Sequence, residues 1–287
     1  YSPRKQKGLT MKKITLALLT ILFILSACSQ RELIELTSSE KIDQHLTWKV
    51  IKTKELDING RPASINILDV DLKKFDGDID LAWYPEDLII TSKIGKQYDA
   101  LAAVNGSYFD MKVGGAWVFL QSDGKQVAGN KSGVIFSHNG AFAEDTSGNI
   151  VILERPETDW EASPAYDYVM SAGPLMIFED EIYPMDSVAF NLDRHPRTAV
   201  GLTKDKHLIL VTVDGRQKEA VGMSIPELTE LMEDLQCTYA LNLDGGGSTT
   251  MYIKGKDHQG IVNYPTDNKT FDHKGERPVS NAILVLE

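Results

Sequence analysis

Two β-prone runs flank three consecutive glycines in the stretch ALNLDGGGSTTMY, residues 240–252. Because side chains alternate between the two faces of a strand, Leu241 and Leu243 are predicted to point into a core. Asn242 and Asp244 then share the other face, and the carboxylate stands directly before the glycines. Glycine lets a ligand approach backbone N–H groups closely, so we predict a functional loop. The alternative is an ordinary hairpin turn, which needs only one or two glycines.

This glycine loop does not have the sequence of a standard nucleotide-binding loop. A P-loop ends in Gly-Lys-Ser or Gly-Lys-Thr and opens a helix, whereas here the glycines are followed by Ser248 and a β-prone segment. The dinucleotide-binding pattern is excluded for the same reason, because its glycines also lead into a helix.

The first 49 residues are typical of a lipid-anchored bacterial envelope protein. Residues 1–10 precede Met11 and are interpreted as an upstream artefact, and residues 11–27 are predicted to be a lipoprotein signal peptide. The segment ends in LSAC, which resembles a lipobox, so Cys28 is predicted to carry lipid. The alternative is an ordinary signal peptide that happens to end in cysteine. Residues 28–49 are then a tether, and the protein is expected to be membrane-anchored through Cys28 in the envelope, periplasmic or surface-exposed.

The composition limits the partners. The chain has 30 Lys and Arg against 41 Asp and Glu, a formal net charge of −11. Nucleic acid is therefore not an expected partner, because its binding depends on phosphate contacts to Lys and Arg. Any anionic ligand must be held by local arginines and backbone N–H groups. The second cysteine, Cys237, is interpreted as a small buried hydrophobic residue.

Hydrophobic periodicity predicts a β-rich fold. Residues 64–70, SINILDV, alternate like a half-buried strand. Further strands are predicted at residues 100–104, 133–137, 150–153, 175–178 and 207–213. Ser224 and Glu227 form a capping box that starts an amphipathic helix. We predict an α+β fold with a mixed, β-rich sheet and a few packed helices in a single large domain. Its β-rich N-terminal part is residues 50–99, and its catalytic region is residues 100–287.

Metal chemistry is not predicted from the sequence. There is no His-Glu-x-x-His motif and no cysteine pair, so zinc is not expected. The acids of DGDID, residues 76–80, alternate like a calcium loop, but Leu81 replaces the expected glycine. A solvated turn is predicted there, with calcium as the alternative. We expect that no cofactor is required.

Seven short segments, in order and spacing, resemble the phosphodiester glycosidase family. They are NGSYF at 105–109, SAGP at 171–174, RTAVG at 197–201, VDGR at 213–216, GMS at 222–224, LNLDGGGSTT at 241–250 and RPVSNA at 277–282. The resemblance covers the chain from about Ala100 to its C-terminus. The glycine loop reads GGGST where the family often has GGGSS, a change that keeps the hydroxyl.

The resemblance implies an enzyme that hydrolyses a sugar-1-phosphodiester, such as an α-N-acetylglucosamine-1-phosphodiester, to free sugar and a phosphomonoester. It implies Asp244 as the leading catalytic carboxylate and Asp214 as its partner, although an Asp-Gly turn residue is the alternative for Asp214. The residues expected to bind the sugar or the phosphate are Arg197, Arg216, Arg277, Asn105, Asn242, Gly245, Gly246, Ser248 and Thr249.

Two other function classes remain open at this point. One is a non-catalytic surface lipoprotein that binds glycans, and the other is a phosphodiesterase that cuts on the phosphorus side. The second class usually requires metal ions, for which the sequence offers little support.

Overall fold

The computed structural model describes residues 36–53, 61–129 and 138–287, which all belong to one compact unit. The upstream segment 1–10, the signal peptide 11–27, the lipidated Cys28 and the strand 133–137 lie outside the described residues, so they stay predictions. Within the described ranges, no helix combines the length and the apolar character that a membrane crossing would require.

The largest sheet in the described part of the chain has eight strands. Its strands in the described part of the chain are β1 (Ser38–Lys41), β2 (Leu46–Thr53), β3 (Ala63–Asp71), β11 (Leu175–Phe178), β12 (Glu181–Ile182), β13 (Arg197–Thr203), β14 (His207–Val213) and β15 (Cys237–Asn242). They lie side by side in the order β1-β2-β3-β14-β13-β15-β11-β12. Strand β3 includes the strand predicted at residues 64–70, but the prediction that it is half-buried is wrong, because its residues from Ser64 to Leu68 are buried on both faces.

Two smaller sheets complete the β structure of the described residues. One contains β6 (Leu120–Ser122), β7 (Lys125–Ala128), β8 (Gly140–Asp145), β9 (Ile150–Glu154) and β10 (Tyr166–Ala172), in the order β7-β6-β10-β8-β9. The other contains β4 (Ile79–Trp83), β5 (Ala102–Asn105), β16 (Met251–Ile253) and β17 (Asn281–Val285), in the order β16-β5-β17-β4. Apolar residues of all three sheets, including Leu68, Leu241, Phe142, Met170, Val104 and Ile283, pack into one core.

Helices α1 (Thr91–Gln97), α2 (Ala189–Leu192) and α3 (Ile225–Asp234) occur among the described residues, with short 3-10 turns at Gly246–Ser248 and His258–Gly260. Helix α3 begins as predicted. The Ser224 hydroxyl accepts from the Glu227 N–H, and the Glu227 carboxylate accepts from the Ser224 N–H. Each side chain thus pairs a backbone N–H that has no partner within the helix. Leu228, Leu231 and Met232 then pack inward.

The prediction of a β-rich α+β fold in a single domain is confirmed. The prediction of a mixed sheet is wrong, because every pair of named strands is antiparallel. Strands β14 and β15 do run parallel, as their helical crossover requires, but β13 lies between them and pairs with both. The structure also places β1 and the start of β2 inside residues 28–49, so the fold begins earlier than the predicted end of the tether.

Candidate active site

Asp244 lies just beyond the end of β15, at the entry to the glycine loop. Leu241 and Leu243 are fully buried, as the alternation predicts. The backbone of Asp244 is held on both sides, because its N–H donates to the Gly106 carbonyl at 3.0 Å and its carbonyl accepts from Asn105 Nδ2 at 2.7 Å. The position of the carboxylate is therefore set by the core strands.

The environment of Asp244 makes its carboxyl group weakly acidic. Burial raises its pKa to about 6, and the Ser248 hydroxyl, the Arg277 charge and the Gly245 N–H each oppose that rise. The Gly245 N–H donates to Asp244 Oδ1 at 3.0 Å. The Ser248 hydroxyl approaches the carboxylate without a hydrogen bond of normal geometry. A carboxyl group with a pKa near 6 can hold or release a proton close to neutral pH, which suits proton transfer.

Each of the three glycines meets a different neighbour. A Cβ on Gly245 would lie 2.6 Å from the Pro196 carbonyl oxygen, and a Cβ on Gly247 would lie 2.5 Å from Arg277 Nη2. Gly246 has a φ of +63°, which favours glycine, and its hypothetical Cβ would lie 3.1 Å from Arg216 Nη2. The loop is thus in close contact with other parts of the chain, which an ordinary hairpin turn does not require.

Two arginines from distant segments gather around this loop. Arg277 donates from Nε at 2.9 Å and from Nη2 at 2.5 Å to Asp267 Oδ1, and both side chains keep solvent access. Burial and the like charge of Arg277 lower the pKa of Arg216, whereas Asp267 and Asp244 raise it. Arg216 and Arg277 therefore lie close to each other and to Asp244. Two guanidinium groups close to one carboxylate suit a phosphate, which accepts from both.

His195 supports Arg216. Its Nδ1 lies 3.5 Å from Arg216 Nη2, and because a guanidinium can only donate, this nitrogen must be the acceptor. Burial and the charges of Arg197 and Arg216 lower the pKa of His195, which favours the neutral ring. His195 thereby orients Arg216 without adding a charge.

The expected sugar-binding role of Asn105 and Asn242 does not fit the structure, because both residues are fully buried. Asn105 Oδ1 accepts from Thr198 Oγ1 at 2.8 Å and from the Thr250 N–H at 3.1 Å, while its Nδ2 holds the Asp244 carbonyl. Asn242 Nδ2 donates to the carbonyls of Gly173 and Leu243, both at 2.8 Å. These amides position the backbone beneath the loop.

The assignment of Asp214 as the catalytic partner must also be revised. Its side chain is 1% exposed, and both of its oxygens accept hydrogen bonds from the protein. Ser64 Oγ donates to Oδ2 at 2.7 Å, and Asn263 Nδ2 and the Tyr264 N–H donate to Oδ1 at 2.9 and 2.8 Å. Burial raises the pKa of Asp214 to about 6, opposed by these hydrogen bonds. Asn263 also donates to the Thr249 carbonyl at 3.0 Å, so Asp214 braces the segment that follows the glycines.

Arg197 and two N–H groups of the glycine loop also donate their hydrogen bonds to acceptors within the protein. Arg197 is 1% exposed and donates to the carbonyls of Met223, Phe190 and Asp193 at 2.7–2.9 Å, so it is a structural residue and not a phosphate ligand. The N–H groups of Gly245 and Gly246, which were expected to donate to the phosphate, are already paired within the protein. Gly245 N–H donates to Asp244, and Gly246 N–H donates to the Pro196 carbonyl at 2.9 Å. Gly247 N–H has no partner among the described residues and replaces them as the candidate.

The hydroxyls after the glycines lie at the predicted place but are deeply buried. Ser248 and Thr249 are at most 1% exposed. Ser248 acts on Asp244, as described above, and Thr249 Oγ1 has no hydrogen-bond partner within the described ranges. Ser248 is thus placed to tune the carboxylate, and the contribution of Thr249 is its backbone carbonyl, which Asn263 binds.

The calcium alternative and the expectation that no cofactor is required both stay predictions. Asp80 Oδ1 accepts from the Leu81 N–H at the start of β4, and no group of three His, Cys, Asp or Glu side chains in the described part of the chain could hold a metal ion.

A cavity of about 1040 Å³ lies between β9, the β11–β12 hairpin and the turn around Phe75, and none of the candidate site residues lines it.

Three contributors to the site were not identified from the sequence. They are Asp267, which fixes Arg277, His195, which orients Arg216, and Asn263, which links Asp214 to the loop. A parallel bridge between Thr266 and Gly275 closes the loop that brings Asp267 to Arg277, and no local pattern indicates that pairing. His195 lies in the Arg-His-Pro-Arg segment, and the polar residues of this segment are the one sequence signal that could have pointed to His195.

Comparison with known proteins places this site in a family. The family model for phosphodiester glycosidase matches residues 98–286. Mouse N-acetylglucosamine-1-phosphodiester α-N-acetylglucosaminidase is 30% identical over 202 residues, which covers 64% of this chain and 37% of the mouse protein. The chain thus spans little more than a third of the length of that relative.

Solved structures agree with the sequence comparisons. The zebrafish N-acetylglucosamine-1-phosphodiester α-N-acetylglucosaminidase catalytic domain, auto-inhibited by its pro-peptide, superimposes with a TM-score of 0.67 and 25% identity over 88% of this chain and 87% of that one. A hypothetical protein from Synechocystis shares the fold at a TM-score of 0.63 and 14% identity, covering 87% of this chain and 63% of that one. The match over residues 98–286 includes the glycine loop, Asp244, Arg216 and Arg277, and this chain belongs to the phosphodiester glycosidase family.

Proposed function

We propose that this protein hydrolyses a sugar-1-phosphodiester between the anomeric carbon and the phosphate oxygen, releasing free sugar and a phosphomonoester. One observation carries the proposal: a single carboxyl group with a pKa near 6, Asp244, lies beside two guanidinium groups at a close-packed glycine loop. Family membership and the names of the mouse and zebrafish relatives support the same reaction class.

The site supplies what this reaction requires. A phosphomonoester is a good leaving group, so its departure needs charge stabilisation more than protonation. Arg216 and Arg277 are the donors for that charge, together with the N–H of Gly247. Because Asp214 is part of a separate buried network, Asp244 is left as the carboxylate that acts at the sugar.

The proposed step balances as a hydrolysis. Ionised Asp244 accepts a proton from water, and the water oxygen forms a bond to the anomeric carbon. The bond from that carbon to the phosphate oxygen breaks, and its electron pair stays on the phosphate, held by the two arginines. The products are the reducing sugar and the phosphomonoester.

Hydrolysis in H₂¹⁸O tests this proposal directly. The purified protein is incubated with the monomethyl phosphodiester of α-N-acetylglucosamine-1-phosphate, and the position of the label is read by mass spectrometry. Cleavage at the anomeric carbon places ¹⁸O in the sugar, whereas a phosphodiesterase would place it in the phosphate. Label in the phosphate, or no turnover, would contradict the proposal.

Asp244→Asn supplies the matching control. We expect it to lower turnover at least about 100-fold, the usual scale for loss of a catalytic base. Asp205→Asn makes the same chemical change at an exposed position, where the carboxylate pairs with Lys73 at 3.8 Å, and should leave turnover unchanged. Turnover that survives EDTA would support the expectation that no metal is required.

The cellular location follows from the sequence alone and is part of the proposal. A lipid on Cys28 would hold the enzyme at the bacterial envelope, where sugar phosphodiesters of the envelope or of host glycans are accessible. Mass spectrometry of the protein extracted with detergent, before and after Cys28→Ser, tests this directly. The acyl mass should be present in the parent and absent from the variant.

A further inference from the structure

A second cavity, of about 480 Å³, opens beside the Asp214 network. Alternate residues of β1, β2 and β3 form one wall, and the chain segment from Lys256 to His273 contributes the other. The register of β2 and β3 pairs Lys52 with Ser64, so these two side chains share a face of the largest sheet. We call this space the Lys52 cavity; its main lining residues are Trp48, Lys52, Asn66, Lys256, Tyr264 and His273.

Aromatic rings make the walls of the Lys52 cavity rigid. Tyr264 stacks on Phe271 with ring centroids 4.0 Å apart, His273 lies 4.3 Å from Tyr264, and His258 stacks on His273 at 4.1 Å. On the opposite wall, Trp48 Nε1 donates to Asn66 Oδ1 at 3.1 Å, which fixes the indole. Cavities with aromatic walls and a few fixed polar groups are typical of small-molecule sites. The stacked rings and the lysine ammonium groups over Tyr264 and Trp48 cover much of the ring faces, so the rings serve here as a fixed wall.

Lys52 supplies a cationic group in this cavity. Its ammonium donates to the Tyr264 hydroxyl at 2.9 Å and lies 4.6 Å from the Tyr264 ring centroid, and it forms no ion pair with any described carboxylate. The second lysine, Lys256, pairs with Glu40, and Asp257 is exposed among the lining residues. The Lys52 charge also acts on buried Asp214, whose pKa it lowers. In a chain of net charge −11, an ammonium with no ion pair among the described residues suits an anionic group.

The Lys52 cavity and the candidate active site share one side of the largest sheet. The cross-strand row Asn66, Thr212 and Thr198 leads from the cavity to Asn105, which holds the Asp244 backbone. Two strand spacings separate Asn66 from Thr198, a distance of about 10 Å. Ser64 and Tyr264 line the cavity and also bind Asp214, so the wall of the cavity and the support of the glycine loop are the same residues.

We propose that the Lys52 cavity is a second subsite, which binds a further anionic sugar unit of the substrate with its phosphate at Lys52. This inference rests on the proposed function and specifies its substrate class, an oligomer of sugar units joined by phosphodiesters. Asp244 then acts on one linkage while the Lys52 cavity holds a neighbouring unit.

Calorimetry on the Asp244→Asn protein tests the subsite without turnover. The probes are a synthetic trimer of N-acetylglucosamine-1-phosphate units, the single-unit monomethyl phosphodiester, and neutral tri-N-acetylglucosamine. Lys52→Met removes the charge, and because Lys52 is exposed the change removes no core packing. Lys49→Met is the matched control, because Lys49 lies on the same strand, pairs with Asp69 at 2.5 Å and points to the other face.

We expect Lys52→Met to weaken binding of the trimer about tenfold and to leave the single-unit probe unchanged, with no effect of Lys49→Met. Tighter binding of the phosphate trimer than of the neutral trisaccharide would support the same conclusion. Equal affinity of the Asp244→Asn protein for the trimer and the single unit would overturn the proposal. Equal losses of trimer affinity in the Lys52→Met and Lys49→Met variants would also overturn it. If the unmodified protein failed to hydrolyse the single-unit probe but kept Lys52-dependent binding of the trimer, the proposed reaction would fail and the subsite would stand.

Discussion

Asp214→Asn separates a structural carboxylate from a catalytic one. The pKa of Asp214 is about 6 in the folded protein against an ordinary value of 3.8, a difference of about two units or about 3 kcal/mol. Between pH 4 and pH 6 the folded protein therefore binds the proton that the unfolded chain has lost. The contribution of Asp214 to the free energy of unfolding is present below pH 3.8 and falls by about 3 kcal/mol as the pH rises through 6.

Asparagine fits the hydrogen bonds of this site. Its carbonyl oxygen replaces Oδ1 and accepts from Asn263 Nδ2 and the Tyr264 N–H, while its amide nitrogen faces Ser64, whose hydroxyl can rotate and accept. The substitution removes the buried charge with little loss of bonding. Relative to the parent, Asp214→Asn should therefore gain about 3 kcal/mol between pH 4 and pH 7, because only the parent ionises there.

Urea unfolding followed by tryptophan fluorescence at pH 4, 5, 6 and 7 measures this difference. Asp214→Ala is the control, because it leaves three donors without an acceptor and should destabilise the protein at every pH. A difference between Asp214→Asn and the parent that does not change with pH would refute the reasoning on stability. A loss of turnover of about 100-fold or more in a folded Asp214→Asn protein would return Asp214 to the catalytic pair.

Three further outcomes are expected from the site. The value of kcat/KM for a sugar phosphodiester should rise with pH through about 6 as Asp244 ionises, and a flat profile from pH 5 to 7 would count against a base at this position. Gly247→Ala should raise KM about tenfold, because the new Cβ would lie 2.5 Å from Arg277 Nη2 and separate Arg277 from Asp267; steady-state kinetics with an unchanged KM would contradict this. Arg216→Lys should raise KM a few-fold and Arg216→Met more, since lysine keeps the charge but not the planar fork, and equal KM values in both variants would exclude Arg216 from phosphate binding.

The sequence predicts the centre of the site better than its surroundings. Strand alternation and the consecutive glycines are local signals, and they locate Asp244 and the buried leucines before it. The resemblance to a family brings Arg216 and Arg277 into the same neighbourhood as Asp244, where the structure also has them. These residues could be predicted because either a local pattern or a rare motif indicates them.

The sequence could not predict which of the polar residues at strand ends are buried. Asn105, Arg197 and Asp214 all stand at strand ends. The segment from Lys256 to Arg277 returns over these ends and covers Asp214. Backbone carbonyls of α2 and of the turn after it accept hydrogen bonds from Arg197. Alternation reports the two faces of a strand and not what covers its end. Packing of other segments around the strand ends therefore turns several predicted site residues into structural supports.

The hydrogen bonds of Asn105 have a consequence for how the enzyme acquires activity. This one amide contacts Thr198, Asp244 and Thr250, which are 93, 139 and 145 residues away along the chain. Contacts between such distant positions close large loops and form slowly. During refolding, we expect circular dichroism to recover before turnover, because the catalytic geometry exists only after Asn105 has met the distant residues Thr198, Asp244 and Thr250. Regain of catalysis would then be a stringent measure of complete folding.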